Sequence, residues 1–401
     1  MKNFAKSTML KFDDALEIVM NSISSRRPGT ERVEINRAFN RVLAEDVASD
    51  MDIPPFNKSA MDGFACRRAD LANELTIIET IPAGHVPKNE ITINQCAKIM
   101  TGAVVPEGAD CVIMVEYTEP TSDNKIRFTG EQTSDNICLK GEDIKEGETV
   151  VRVGAKLSAQ HIAVLASLGC VKPLVAVQPR VGIIATGDEL VEPEQKPGAC
   201  QIRNSNAPQL AAQVANAAAI ATNYGIAADT EEALDGMLKK AIAENDVVIM
   251  SGGVSVGDYD LVRGILKKNN FRLLFEKIAV KPGRPTVFGV SNEAFCFGLP
   301  GNPVSTFVTF ELLVKPFLLK MMGYNFKPIV SHNKLEKTIT RKKTERDLWL
   351  PVVFTGDDKV ASIDYHGSAH INALCEADGL ICIPAGVAEI KEGTDVAVRQ
   401  I

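Results

Sequence analysis

The chain has 401 residues, 45% hydrophobic and 5% aromatic, with a formal net charge of −7. That length exceeds one ordinary hydrophobic core and predicts roughly two to four domains. The negative balance argues against a dedicated nucleic-acid binder, which carries a basic face. The 9 cysteines form no C-x-x-C pair, and most sit in apolar runs such as those around Cys111, Cys170 and Cys296. This usage indicates neither a disulfide framework nor a zinc site and fits a reducing compartment. No apolar h-region follows Met1-Lys2-Asn3-Phe4, and no run reaches membrane-spanning length, so a cytoplasmic protein is expected.

In chain order, Asp13 and Asp14 are placed to cap a helix carrying Ala15, Leu16, Ile18, Val19 and Ile23, ended by Pro28-Gly29. A second helix is expected over Arg37 to Glu45. A turn-rich stretch, Asp52 to Gly63, then opens a region of short strands punctuated by Pro82, Gly84, Pro87, Gly102, Pro106 and Gly108. From Arg180 to about Lys320 strands and helices alternate. Strands are expected at Val181 to Ala185, Asp246 to Met250 and Ala294 to Phe297, and helices at Ala207 to Ala221, Glu231 to Glu244 and Pro303 to Met322. Such alternation implies a largely parallel sheet covered by helices. The tail from about Ser331 returns to short strands and Gly turns, as in a small β-barrel or sandwich.

Ligands of an open parallel sheet bind beyond the carboxyl ends of its strands. Three loops fall there: Thr186 to Glu189, Ser251 to Asp260, and Gly298 to Ser305. In the second, Gly252, Gly253 and Ser255 let backbone N–H groups turn toward an anion, and Asp258 and Asp260 stand at an expected helix start. Carboxylates beside such a cradle would repel a phosphate unless a divalent cation lay between them. In the third, Asn302 reads as an N-cap and Pro303 as the first helical residue, leaving free N–H groups for a ligand. A fourth element, Lys277 to Val280, alternates as a strand and ends in a turn bearing Lys281 and Arg284, cations suited to an oxyanion. Singly, each Gly-rich turn is adequately explained as a tight connection, and Lys281 and Arg284 as a solvated turn. Three such loops at one sheet edge, with acids and bases segregated between them, make a cleft for a metal-bridged phosphorylated ligand the better reading.

Together these residues resemble the molybdopterin molybdenumtransferase family, the MoeA and gephyrin E-domain type. The matching pieces include Pro54-Pro55-Phe56, Ser59 to Phe64, Met100 to Ala103, Gly141-Glu142-Asp143, Ala185 to Leu190 and Ile202 to Asn206. Ser251 to Gly257, Lys281-Pro282-Gly283, Leu299 to Ser305, Gly367-Ser368 and Ala377 to Ile381 complete them in the family's order. The resemblance implies a transferase that takes adenylylated molybdopterin, inserts molybdate at the dithiolene and releases AMP with Mg²⁺. It implies a multidomain α/β plus β subunit in four parts. These are an elongated dimerisation domain (1–52 and 146–178), an inserted β-rich domain (53–145), a three-layer, mostly parallel α/β domain (179–328) and a β-barrel-like C-terminal domain (329–401). It also implies a homodimer whose active site is shared between subunits, supplied by an upstream molybdopterin adenylyltransferase. By motif match, Glu189 and Asp260 look like metal ligands, and Asp62, Thr101 and Asp143 look like the partner-subunit side of the cleft. Lys277, Lys281, Arg284, Ser305 and Ser368 look like oxyanion and phosphate contacts, with Pro300 and Pro303 shaping the pocket.

Departures fall mostly in the C-terminal part. Pro351 stands where relatives commonly carry Arg, and Ala369-His370-Ile371-Asn372-Ala373 replaces a hydroxyl-rich stretch. Proline cannot donate to an oxyanion, so Arg346 is the substitute candidate and tungstate an alternative substrate. Arg284 replaces a common Lys, keeping the charge and changing its geometry. Two other readings stay open: a molybdopterin adenylyltransferase, disfavoured by the extra β-rich parts, and a non-catalytic scaffold, disfavoured by the retained Asp62, Glu189, Asp260 and Lys281.

Overall fold

A computed structural model describes residues 9–25, 28–253, 261–356, 358–363 and 367–401. The first helix, α1 (Phe12–Asn21), starts without a side-chain cap. Asp13 and Asp14 instead lie in its first turn, where negative charge complements the helix dipole. It ends at Asn21 and passes into a 3₁₀ turn, Ser22–Ser25, before Pro28 is reached. The second expected helix does not form. A single 3₁₀ turn covers Ile35–Arg37, Asn40 takes a left-handed φ of 64°, and Val42 and Leu43 run extended, bridging Lys156 and Val175. Adjacent apolar residues on an extended chain serve two packing partners here, a demand that helical periodicity conceals. Residues 38–47 share one apolar core with residues 144–175, including Leu43, Val151, Leu165 in α2 (Ala159–Ser167) and Val175.

Between these segments lies a six-stranded sheet. Its strands are β1 (Gly63–Cys66), β2 (Glu74–Ile81), β3 (Gln95–Ile99), β4 (Cys111–Met114), β5 (Thr118–Ser122) and β6 (Lys125–Phe128), in the order β4-β1-β3-β2-β6-β5. Only β2 and β3 pair in parallel. Strand β1 is buried on both faces: Phe64 and Cys66 enter one core, Ala65 the other.

The α/β part contains β7 (Arg180–Thr186), α3 (Asn206–Asn216), β8 (Ile220–Ala227), α4 (Glu231–Glu244), β9 (Val247–Ser251), α5 (Leu261–Lys268) and β10 (Arg272–Phe275). It continues with β11 (Val280–Lys281), β12 (Val287–Val290), β13 (Phe295–Leu299), α6 (Pro303–Thr309) and α7 (Lys315–Met321). The sheet order is β8-β7-β9-β13-β12-β10; the first four strands are parallel, and the last two add antiparallel. Alternate residues of the central strands feed different cores. Val247, Ile249, Phe295 and Phe297 meet α1, α3, α6 and α7, while Val248, Met250 and Cys296 meet α4 and α5. The result is three layers, with four phenylalanines (Phe288, Phe295, Phe297, Phe317) stacked edge and face at the centre.

Two expectations fail within this part. Helix α3 stops at Asn216 rather than Ala221, because Ala218 turns left-handed (φ 60°) and the chain enters β8, which the alanine-rich run disguised. The helix from Pro303 is not continuous: a π-helical turn at Phe310–Val314 separates α6 from α7.

The C-terminal strands are β14 (Val330–Leu335), β15 (Asp347–Gly356), β16 (Lys359–Ser362), β17 (Gly379–Ile383) and β18 (Asp395–Gln400). Their order is β15-β16-β14-β18-β17, and β17 pairs back onto β15, so the sheet closes as a small barrel and has no free edge among these five. Strand β11 of the α/β part adds in parallel to β15, Val280 facing Asp347 and Lys281 facing Leu348. No described helix is long and apolar enough to cross a membrane.

Candidate active site

Strands β7, β9 and β13 end side by side, at Thr186, Ser251 and Leu299. The loops that follow them enclose a cleft of about 650 Å³. Glu189, Gly252, Gly253, Pro300 and Pro303 all stand in its wall. Gly252 holds φ at +100° where the chain passes against the Thr186 carbonyl, a conformation that side chains rarely adopt. Ser255 and Asp260 lie outside the described residues, as does Asp258.

The wall is tied together by side chains that the motifs alone did not assign. Asn206, at the start of α3, donates from Nδ2 to Ser251 Oγ at 2.8 Å and to the Gly301 carbonyl at 2.7 Å, joining two of the three loops. Thr186 donates its hydroxyl to Asp229, and the Asp229 N–H donates to Asp188 Oδ1 at 3.1 Å. Asp229 therefore adds a second carboxylate to the wall beside Glu189. A polar residue opening α3 beneath two glycine loops is the signal that would have singled out Asn206. Nothing local marks Asp229, which arrives from the end of the unrecognised strand β8.

On α6, Asn302 is the N-cap by backbone position, but its side chain does not cap; Nδ2 donates to Ser368 Oγ at 2.8 Å. The Val304 N–H donates to the Ser368 carbonyl at 3.1 Å. One of the helix-start donors expected to be free is thus occupied, because the segment after the barrel strand β16 folds across it and brings Ala369 and Ile371 into the wall. Ser305 is buried within α6, 4% exposed. Lys277 precedes β11, and its carbonyl receives the Leu10 N–H at 3.2 Å.

Lys281, the last residue of β11, and Arg284, on the turn after it, are exposed, and Pro285, next to Arg284, reaches the cleft wall. Gly283, at φ +119°, makes this turn where a Cβ would meet Thr309 Cγ2 at 2.4 Å. The β11–β15 pairing brings Arg346 alongside: its Nη1 donates to the Val280 carbonyl at 3.4 Å. Burial, and then the neighbouring Arg284, lower the Arg346 pKa from its usual value. Three cations therefore gather at one corner, two from the α/β part and one from the barrel. Pro351, by contrast, is a buried barrel residue opposite Leu380.

Asp62 and Thr101 meet at an exposed turn of the β-rich sheet. Asp62 Oδ1 accepts from the Thr101 N–H at 2.6 Å and its hydroxyl at 2.8 Å, and these two donors hold the carboxyl below its usual range. Asp143 is exposed, its N–H donating to the Ile53 carbonyl at 3.0 Å. Among the described residues, none of these three lines the cleft of its own chain.

For a divalent cation, the wall offers carboxylate oxygens from Glu189 and Asp229, hard donors of the type Mg²⁺ takes. The described residues gather no group of three or more ligands.

Comparison with known proteins follows the same outline along the chain. Residues 10–169 match the MoeA N-terminal region (domain I and II), residues 182–320 a probable molybdopterin binding domain, and residues 334–401 the MoeA C-terminal region (domain IV). The chain is 36% identical over 385 residues to the molybdopterin molybdenumtransferase of Staphylococcus epidermidis, covering 91% of this chain and 90% of that one. It is 34% identical over 415 residues to that of Bacillus subtilis, covering 99% and 95%. Among solved structures, the molybdopterin biosynthesis MoeA protein of Pyrococcus horikoshii superposes with a TM-score of 0.83 at 32% identity, covering 98% of this chain and 100% of that chain. The fold and the matched regions define a molybdenum-cofactor biosynthesis protein. This chain belongs to the MoeA family, the molybdopterin molybdenumtransferases.

Proposed function

We propose that this chain, a transferase of molybdenum cofactor biosynthesis, inserts molybdate into adenylylated molybdopterin and releases AMP at the cleft beyond β7, β9 and β13. The observation that carries this reading is a cleft wall that combines the carboxylates of Glu189 and Asp229 with Arg203 and the glycine turn, while Lys281, Arg284 and Arg346 lie around the turn that leads to the wall residue Pro285. Cleaving a phosphoanhydride requires neutralised phosphate oxygens and a positioned attacking oxygen. The Gly252 N–H donates to the Leu299 carbonyl at 3.2 Å, so the Gly253 N–H, together with the basic corner, would bind and orient the phosphates. Glu189 and Asp260 would hold Mg²⁺, with Asp229 within the same wall, and the cation would supply charge neutralisation. Attack of a molybdate oxygen on the AMP phosphorus would break the phosphoanhydride bond and expel the molybdopterin phosphate; that oxygen then leaves on AMP, which opens a position on molybdenum to the dithiolene sulfurs. The basic corner is the candidate entry for molybdate, with Arg346 in the role that Pro351 cannot fill.

The homodimer belongs to the same proposal. Asp62 and Thr101 are exposed, and beside them Met61, Val115 and Tyr117 present large apolar side chains to the surface, 39%, 45% and 52% exposed. The Val115 N–H donates to the Asp62 carbonyl at 3.2 Å, so polar turn and apolar fringe are contiguous. A second subunit covering that fringe would bring Asp62, Thr101 and Asp143 to the cleft of its neighbour. The four-part division of the chain, a cytoplasmic setting and an upstream adenylyltransferase complete this reading.

The deciding measurement is AMP release on incubating the protein with adenylylated molybdopterin, Mg²⁺ and molybdate. Release that depends on molybdate is expected, with a parallel tungstate reaction reporting oxyanion preference. Absence of oxyanion-dependent AMP would sink the insertion reading, and transfer of an AMP moiety from ATP would favour the adenylyltransferase.

A further inference from the structure

Away from the cleft, three thiols stand in one cross-strand row of the β-rich sheet. Cys66 of β1 faces Cys96 of β3 on one side and Cys111 of β4 on the other. All three are fully buried in the same core, so their side chains lie on one face. The Cys66 and Cys111 sulfurs approach to 3.7 Å and share a hydrogen bond. Directly opposed residues of an antiparallel pair have Cα atoms about 4.5–5.5 Å apart. That spacing lies inside the range that a disulfide spans.

We propose that Cys66 and Cys111 form a redox-active dithiol that a peroxide converts to a disulfide, fastening β4 to β1 at the end of their pairing away from the Asp62 turn. The proposal does not depend on the reading of the cleft. Position makes Cys111 the entry point: it is the first residue of β4, and β4 is an edge strand, so local fraying exposes it before Cys66 or Cys96. The hydrogen bond shared with Cys66 lowers the Cys111 thiol from its usual value, whereas the same contact and burial raise Cys66. The Cys111 thiolate attacks the peroxide O–O bond, forming a sulfenic acid and, with one proton, releasing water. The Cys66 sulfur then attacks the sulfenic sulfur. The S–O bond breaks, the S–S bond forms, and the Cys66 proton leaves with the hydroxide as a second water. In sum, two thiols lose two protons and two electrons, and one peroxide becomes two waters.

The test is non-reducing peptide mapping of the reduced, folded, full-length protein after exposure to hydrogen peroxide and blocking of remaining thiols. A cross-linked pair of peptides containing Cys66 and Cys111, lighter by two hydrogens and separated again by dithiothreitol, is expected. Cys96→Ser should retain the cross-link, and Cys111→Ser should abolish it. Recovery of Cys66 and Cys111 as blocked thiols, at a dose that oxidises the exposed Cys200 and Cys375, overturns the proposal. So does a Cys66–Cys96 linkage in their place. The wild-type map decides the matter even if a serine variant fails to fold.

Discussion

At Gly252 a Cβ would stand 2.3 Å from the Thr186 carbonyl oxygen, on a backbone held at φ +100°. Gly252→Ala therefore meets both a steric and a conformational penalty. The conformational part alone is about 1–3 kcal/mol. Thermal denaturation should register a loss of at least that order, and AMP release should fall with it, because the displaced loop is the cleft wall. Asp235 offers a test in pH. Lys239 first, then Asn269 and Lys268, pull its carboxyl from 3.8 to about 2. A depressed carboxyl pKa contributes stability that is fully present above the unfolded value and lost as pH falls through the folded one. The urea midpoint of the wild type should therefore drop between about pH 4 and about pH 2 more steeply than that of Asp235→Asn. Parallel curves would show that the Asp235 contacts add nothing.

The π-helical turn at Phe310–Val314 matters at the scale of elements. It buries Glu311, 3% exposed, where Lys315 Nζ donates to Oε2 at 2.7 Å and Gln213 Nε2 to Oε1 at 3.0 Å. Arg399 of β18 donates to the Glu311 carbonyl at 2.6 Å, so one turn joins α3, α7 and the barrel. Removing one partner of a buried ion pair leaves the other charge uncompensated, at a cost of about 3–5 kcal/mol. Lys315→Met should lower stability to chemical denaturant by that amount. Adding Glu311→Leu should restore much of it; a double variant no better than the single would mean that Glu311 is adequately hydrated without its partner. Element boundaries also show where periodicity misleads. The strand Val247–Ser251 and the helix Glu231–Glu244 were legible because an unbroken buried run and an acidic, Thr-capped start have single interpretations. The run after Asn206 was not, since alanine suits both the end of α3 and the start of β8.

For the whole molecule, the proposed shared site has a consequence that a site within one subunit lacks. Asp62→Ala and Glu189→Ala should each be inactive alone. Mixed and allowed to exchange subunits, they should recover about a quarter of wild-type AMP release, since half the dimers are mixed and one of their two sites is intact. No recovery, with exchange verified, would place all catalytic groups of a site on one chain.

The amino-acid sequence by itself determined the alternation that builds the three-layer sheet, the loops at its carboxyl edge and the family, because these depend on local periodicity, glycine freedom and contiguous motifs. Tertiary structure alone decided what surrounds those loops. Asp229 reaches the wall from a strand hidden in an alanine run, Ser368 folds onto the start of α6, and β11 pairs with a barrel strand to bring Arg346 beside Arg284. Each of these depends on contacts between residues far apart in the chain, and no local pattern of residue types encodes such contacts.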